Sequence, residues 1–213
     1  MVERTDSREA TALVNGRIVL PGRLVEGRSV MVAGGIVLDV VEPDALGGDV
    51  ARVDVGGRYI APGLIDIHIH GANNHTFNEP SAEGYDAILS ACVARGVTSV
   101  LATLATAPIP SLVEGMRFAA EWTSASHRSA QVLGVHLEGP YFSQEQRGAQ
   151  DPRHIRTPDD GTVDALLEHH GVMRMMSFAP ELLGALELTA RLAALGVVPA
   201  AGHSSAMDTD VEL

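Results

Sequence analysis

Residues 64–70 read LIDIHIH, an apolar run interrupted by two histidines, and the segment SAEGYDAILSACVARG follows at residues 81–96. The first segment is short and rich in isoleucine, which favours a strand. The second places apolar residues three and four positions apart, which favours a helix. The same alternation continues along the chain and predicts about four β-α pairs plus one further strand. This pattern is typical of parallel βαβ units.

The first 62 residues have a different pattern. Their short Val- and Ile-rich runs are separated by Asn15-Gly16, Gly34-Gly35 and Gly56-Gly57, pairs that are typical of tight turns between antiparallel strands. We therefore predict a small β-rich domain of the sandwich type at residues 1–62 and an α/β domain at residues 63–213.

Two architectures fit residues 63–213: an open, doubly wound sheet, or about the first five strands of a (β/α)8 barrel of the TIM type. Periodicity alone leaves both open. The polar residues favour the barrel, because barrel enzymes place functional residues at the carboxyl ends of many different strands. The predicted strands that end near His70, Glu138 and His203 each carry an imidazole or a carboxylate at that end.

These residues form a candidate metal site. Alternate side chains of a strand share a face, so His68 and His70 are expected to point the same way. Imidazole and carboxylate are ligands that zinc and similar divalent metals accept. A single His-x-His pair or a lone glutamate is more often solvated, but their coincidence with Glu138 and His203 at one edge of the sheet predicts a metal.

Three further features are candidates for a role near this site. His136 faces the same way as Glu138 and would either bind the metal or orient the site. Asp66 precedes His68 by two residues and is expected to support the site from beneath. The polar segment at residues 141–160 is long for a βα connection and directly follows Glu138, which is typical of a substrate lid or clamp.

Composition argues against several classes of function. Acidic residues outnumber basic ones by 27 to 15, and the net charge of −12 argues against nonspecific binding to nucleic acid or to an anionic membrane. The lone Cys92 rules out an intrachain disulfide and a cysteine-based zinc cage. The polar N-terminus has no signal-peptide pattern, and no apolar run is long enough to span a bilayer, so we expect a cytoplasmic protein.

The sequence resembles the amidohydrolase superfamily and, within it, the N-acetylglucosamine-6-phosphate deacetylases. The resemblance rests on five segments in order: PGLIDIHIHG at residues 62–71, GVHLEGPYF at 134–142, RGAQDP at 147–152, SFAPE at 177–181 and AGHSSA at 201–206. It implies a hydrolase that acts on a phosphosugar. This enzyme would remove the N-acetyl group from N-acetylglucosamine 6-phosphate and release acetate. It also implies a homodimer.

The resemblance assigns roles to the candidate ligands. Glu138 and His203 match ligands of the metal that carries out the chemistry, whereas His68 and His70 match ligands of a second metal position. One or two divalent ions are therefore implied. Zinc is the first expectation, with iron, manganese or cobalt as alternatives.

The resemblance also assigns substrate contacts and predicts missing groups. Ala149 and Gln150 match a substrate-contacting pair that is usually Ala-His, and a glutamine can donate to a sugar oxygen but cannot become an imidazolium. A further histidine ligand and the general acid/base, an aspartate, are expected beyond Leu213. No catalytic acid/base is therefore expected within this chain, which would be the N-terminal part of the enzyme and inactive alone.

Two alternative functions stay open. The first is another amidohydrolase that acts on a related N-acyl amino sugar or on a cyclic amide. Cyclic-amide hydrolases of this superfamily usually have a bridging lysine, and this chain contains no lysine, which favours the deacetylase. The second alternative is an inactive truncated remnant that binds only a metal or a partner. The intact His68, His70, Glu138 and His203 argue against long decay.

Overall fold

The computed structural model describes residues 10–124 and 129–208. The chain divides into two compact units, Met1–Pro62 and Gly63–Leu213. None of the helices in the described part of the chain is long and apolar enough to cross a membrane.

The first unit is built from short strands. They are β1 (Thr11–Val14), β2 (Arg17–Leu20), β3 (Arg23–Val25), β4 (Ser29–Ala33), β5 (Ile36–Val41), β6 (Ala51–Asp54) and β7 (Tyr59–Ile60). One sheet has the order β5-β4-β1-β6 and another has the order β3-β2-β7. A small apolar cluster contains Ala12 of β1 and Ala33 of β4 together with Leu46.

The strand directions of the first unit agree only in part with the antiparallel prediction. The β4–β5 pair is an antiparallel hairpin whose turn contains Gly34 and Gly35, both at positive φ. However, β6 runs parallel to β1, and β7 runs parallel to β2. Parallel neighbours need a crossover rather than a tight turn, so turn signals in the sequence do not reveal these pairs.

The second unit alternates strands and helices. Its elements are β8 (Leu64–Ile69), β9 (Gly71–Ala72), β10 (His75–Thr76), α1 (Ala82–Val93), β11 (Val97–Ala105), α2 (Ile109–Ser124), β12 (Gln131–Glu138), α3 (Val163–Leu167), β13 (Met173–Phe178), α4 (Ala185–Ala194) and β14 (Val198–Ala201). The main sheet has the order β14-β13-β12-β11-β8, and all of its neighbouring strands pair in parallel. The strands β9 and β10 form a separate antiparallel hairpin.

The order of the strands decides between the two predicted architectures. In an open doubly wound sheet, the order reverses at a switch point where the chain begins to build in the other direction. Here each new strand is added to the same side, so the spatial order follows the chain order. That order belongs to a sheet that curls towards a barrel and rules out the doubly wound alternative.

The helices are defined by local signals and by burial. The hydroxyl oxygen of Ser81 accepts a hydrogen bond from the Gly84 N–H and caps α1. The same helix buries Tyr85, Ile88 and Cys92 against the sheet. Cys92 is only 5% exposed, and burial raises the pKa of its thiol.

The outer strands of the main sheet carry exposed apolar side chains. Leu64, Ile65 and Ile67 on β8 are each more than half exposed, as is Val198 on β14. Clustered exposed apolar side chains, such as the three on β8, usually lie against another part of a protein.

Candidate metal centre

The carboxyl edge of the main sheet carries the predicted ligands. His68 lies near the end of β8, and His70 directly follows that strand. Glu138 is the last residue of β12, where it pairs with Ala105 at the end of β11. His203 lies two residues beyond β14. Parallel pairing therefore brings groups that are far apart in sequence to one edge.

Three imidazoles surround one carboxylate at this edge. The Nε2 atoms of His68 and His203 lie 3.4 and 3.3 Å from Glu138 Oε1, and His70 Nε2 lies 3.1 Å from Oε2. The ligand atoms of His68, His70 and Glu138 all lie within 4.8 Å of one another. The carboxylate is buried, at 6% exposure, whereas the imidazoles are partly open to solvent.

The electrostatics of the cluster keep this carboxylate ionised. Burial alone raises the pKa of Glu138, but hydrogen bonds from His70 and Gln150 and the positive charge of the imidazoles lower that pKa to about 2. The hydrogen bond to Glu138 in turn raises the pKa of His70 above its ordinary 6.5, although burial opposes this shift. The cluster therefore favours positive charge next to Glu138.

The donor set fits a divalent metal ion. His203 Nδ1 lies 2.9 Å from the carbonyl oxygen of Gln146, which can only accept, so Nδ1 carries the proton of the neutral ring. Nε2 is then a bare acceptor facing Glu138 Oε1, which is also an acceptor. Two facing lone pairs repel each other unless a proton or a cation lies between them. Imidazole and carboxylate are also a ligand combination that zinc-type ions prefer.

The backbone around His203 is held from two sides. His203 has a positive φ of 49°, which is unusual for a residue other than glycine. Its carbonyl accepts the N–H of Ser143 at 3.0 Å. The Glu181 carboxylate accepts the N–H of Ser205 at 2.6 Å and the hydroxyl of Ser204 at 2.7 Å. These contacts hold the segment that presents the His203 ring.

His136 is committed to supporting contacts. Its Nδ1 donates to the carbonyl of Ile67 at 3.1 Å, and its Nε2 accepts from the Ser177 hydroxyl at 2.7 Å. Its ring lies edge-on to that of His68, with centroids 5.0 Å apart. Burial lowers the pKa of His136, which keeps the ring neutral. Both ring nitrogens are thus engaged away from the carboxylate, in an arrangement that positions β8.

The placement of Asp66 differs from simple alternation along the strand. The β8–β11 pairing shifts register between Val100 and Ala102, opposite the segment that carries His68. Asp66 lines a cavity of about 310 Å³ together with Ile69 and Cys92, on the helix-covered side of the sheet. Its contact with the site is through the backbone, because Oδ1 accepts the His68 N–H at 3.0 Å.

The two predicted substrate-contacting residues have different environments. Ala149 is exposed. Gln150 is buried, at 9% exposure; its Nε2 donates to Glu138 Oε2 at 2.6 Å, and its Oε1 accepts the Thr106 N–H at 2.9 Å. A glutamine amide has two N–H donors, and one of them donates to Glu138, so the other remains for another partner.

Sequence reasoning did not single out Ser177, Thr106 or Gln146. An alignment of the predicted parallel strands could have placed two of them next to the site. Ser177 pairs with Glu138 on the neighbouring strand, and Thr106 directly follows β11. Gln146 contributes only a backbone carbonyl, which leaves no signal in the sequence.

Comparisons with known proteins identify the family of the chain. The model of the amidohydrolase family matches residues 59–190. The chain is 34% identical over 203 residues to the N-acetylglucosamine-6-phosphate deacetylase of Homo sapiens, which covers 90% of this chain and 48% of that protein. It is 29% identical over 196 residues to the deacetylase of the same name from Haemophilus influenzae, with 92% and 51% covered. The chain thus spans about half the length of these curated relatives.

Solved structures resemble the chain over the same extent. The N-acetyl-D-glucosamine-6-phosphate deacetylase from Mycobacterium smegmatis, solved in complex with N-acetyl-D-glucosamine-6-phosphate, superposes with a TM-score of 0.85 at 28% identity, covering 95% of this chain and 52% of that one. The deacetylase from Pasteurella multocida superposes with a TM-score of 0.89 over 95% and 53%; at 22% identity, that likeness concerns the fold alone.

Proposed function

The chain belongs to the amidohydrolase family, and on that basis we propose that its protein hydrolyses the N-acetyl group of N-acetylglucosamine 6-phosphate to give glucosamine 6-phosphate and acetate. The relatives that carry this activity in their names match about nine-tenths of the chain. In this proposal, the main sheet supplies the first five strands of an eight-stranded barrel, and residues 1–62 belong to a small β-sandwich. Further strands would cover the exposed apolar side chains of β8 and β14.

One observation carries the proposal: the buried Glu138 carboxylate lies within 3.1 to 3.4 Å of three imidazole nitrogens at the carboxyl edge of a parallel sheet. Solvation alone does not explain this arrangement, because a carboxylate as buried as Glu138 is stable only with hydrogen-bonding or cationic partners around it. We assign Glu138 and His203 to one metal position, and His68 and His70 to a second. Zinc suits these ligands, and iron, manganese and cobalt accept the same set.

A divalent ion bound here supplies Lewis-acid polarisation of the scissile amide and activates water. The residues of this chain would hold the ion and orient its ligands. Glu138 remains ionised because its pKa is low, so it presents a negative ligand across the physiological range. The Nδ1–H of His203 is tied to the carbonyl of Gln146, which directs Nε2 towards the site.

The remaining roles are assigned by resemblance. We place the general acid/base, an aspartate, and a further histidine ligand beyond Leu213. We assign the substrate contacts to Ala149 and Gln150, the assembly to a homodimer and the location to the cytoplasm. His136 and Asp66 would support the ligands, since both contact the segment that carries His68.

The test is to express the coding region extended beyond codon 213 to its natural stop. We expect one or two divalent ions per chain by elemental analysis and acetate release from N-acetylglucosamine 6-phosphate. Glu138→Ala should abolish both, whereas the exposed Glu145→Ala should change neither. Turnover of a cyclic amide instead of the sugar would favour the first alternative function. An extended protein without metal would refute the proposal.

A further inference from the structure

Gln150 connects the ends of two neighbouring strands. Its Oε1 accepts the Thr106 N–H, just beyond β11, and its Nε2 donates to the Glu138 carboxylate at the end of β12. The side chain is 9% exposed, so it makes these contacts inside the protein rather than in solvent. A buried amide with partners at both ends has a defined orientation, because exchanging its oxygen and nitrogen would break both bonds.

The two oxygens of Glu138 have different neighbours. Oε2 lies 2.6 Å from Gln150 Nε2 and 3.1 Å from His70 Nε2. Oε1 faces His68 and His203 at 3.4 and 3.3 Å. The short distance from Gln150 indicates a charge-assisted hydrogen bond. Oε2 is therefore the oxygen that the protein itself holds, and Oε1 is the more available one.

The carboxylate needs such a restraint. The last torsion of a glutamate joins a tetrahedral carbon to a planar group and has no sharp minimum. Without the Gln150 amide, only the imidazoles would oppose a rotation that exchanges the two oxygens of Glu138. An amide donor suits this role because it does not titrate, so its hydrogen bond persists at every pH at which the protein is folded.

We propose that Gln150 is a positioning residue that holds Oε2 of Glu138 and so fixes the rotation of the carboxylate, with Oε1 directed towards His68 and His203. The inference rests on the metal site of the proposed function. It differs from a substrate-contacting role for Gln150, because it requires no substrate and acts on the metal-free and the metal-loaded chain alike.

The test compares Gln150→Met with Gln144→Met in the full chain. Methionine has a similar length and lacks both the donor and the acceptor. Gln144 is an exposed glutamine of the same loop, and its amide donates to the carbonyl of Pro152 at 3.2 Å. Its replacement controls for the loss of a glutamine hydrogen bond in this loop away from Glu138. Zinc affinity is measured by competition with a chromophoric chelator, and carboxylate binding by infrared difference spectra between the zinc-loaded and metal-free protein.

We expect Gln150→Met to bind zinc about 10- to 100-fold more weakly, as is typical when a partner of a metal ligand is removed. The separation of the carboxylate stretching bands in the zinc-loaded protein should also differ from that of the unaltered chain, because Glu138 is no longer held in one rotation. Gln144→Met should match the unaltered chain in both measurements. Equal affinity for Gln150→Met would overturn the inference, and so would weaker binding with unchanged bands, because that indicates only a packing role.

A measurement on the unaltered chain avoids any folding defect of a variant. The Gln150 side-chain N–H that donates to Glu138 should stay protected from hydrogen exchange when zinc is added, because the bond to Oε2 persists. Loss of this protection on loading would overturn the inference but leave the proposed function intact. A chain that binds no zinc at all would overturn both.

Discussion

Replacement of Glu138 by glutamine removes the one negative charge at the centre of the imidazole cluster. In the metal-free chain, the pKa of Glu138 is about 2, compared with an ordinary value of 4.5. This difference of about 2.5 corresponds to about 3 kcal/mol of folding free energy, at about 1.4 kcal/mol for each pKa unit. Because the folded pKa is the lower one, the contribution is present above pH 4.5 and is lost as the pH falls through about 2.

The assay is urea unfolding of the chelator-treated chain at about pH 5.5, where Glu138 is ionised and His70 is protonated. We expect Glu138→Gln to lose about 3 kcal/mol of unfolding free energy. Its stability should also fall less steeply with acid between pH 4.5 and about 2, where other carboxylates of lowered pKa, such as Asp160, still titrate. The exposed Glu145→Gln is the control and should stay within about 0.5 kcal/mol of the unaltered chain.

The imidazole signals of an NMR titration give an independent check. The pKa of His70 is raised chiefly by its hydrogen bond to Glu138, and burial opposes that effect. In Glu138→Gln, the pKa of His70 should therefore fall below its ordinary 6.5. A loss of less than about 1 kcal/mol together with an unchanged His70 pKa would refute the view that this carboxylate organises the cluster.

Three further outcomes are expected. Zinc affinity, measured by calorimetry, should fall as the pH drops below the raised pKa of His70, because protons compete for that ligand; constant affinity across this range would exclude His70 as a ligand. Gly71→Ala should destabilise the chain by more than about 1 kcal/mol in chemical denaturation, because a Cβ there would lie 2.0 Å from the backbone oxygen of His75. The control Gly171→Ala should leave stability nearly unchanged, because nothing lies within 4 Å of a Cβ at that position. Leu137→Ala should cost about 2–5 kcal/mol, because this side chain is fully buried in the core of the second unit, and a smaller loss in thermal unfolding would contradict that packing.

The sequence predicted much of the second unit because its signals are local. Isoleucine-rich runs and three-four periodicity identified β8 and α1, and the positions of His70, Glu138 and His203 at strand ends identified one edge of a parallel sheet. The choice between a barrel and a doubly wound sheet was made from where the polar residues lie. The strand order, which depends on long-range pairing, agrees with that choice.

The parts that sequence reasoning missed depend on contacts between distant residues. Simple alternation along β8 would put Asp66 on the face of His68, but Asp66 lines a cavity with Cys92, and the pairing with β11 shifts register just beyond it. The parallel pairing of β6 with β1 has no turn signal. Likewise, nothing near Gln150 in the sequence indicates that its amide lies against Glu138, because a polar loop usually faces solvent.

The burial of Cys92 provides a probe of local opening in the second unit. It is the only cysteine in the chain and is 5% exposed on the face of α1 that packs against the sheet. Because so little of the thiol is exposed, a reagent modifies it mainly when α1 separates from the sheet. The modification rate under native conditions therefore reports the population of that opened state. Each tenfold slowing relative to an unstructured peptide corresponds to about 1.4 kcal/mol of opening free energy. The same measurement with and without zinc would show whether loading at the edge of the sheet also tightens the packing of α1 beside β8.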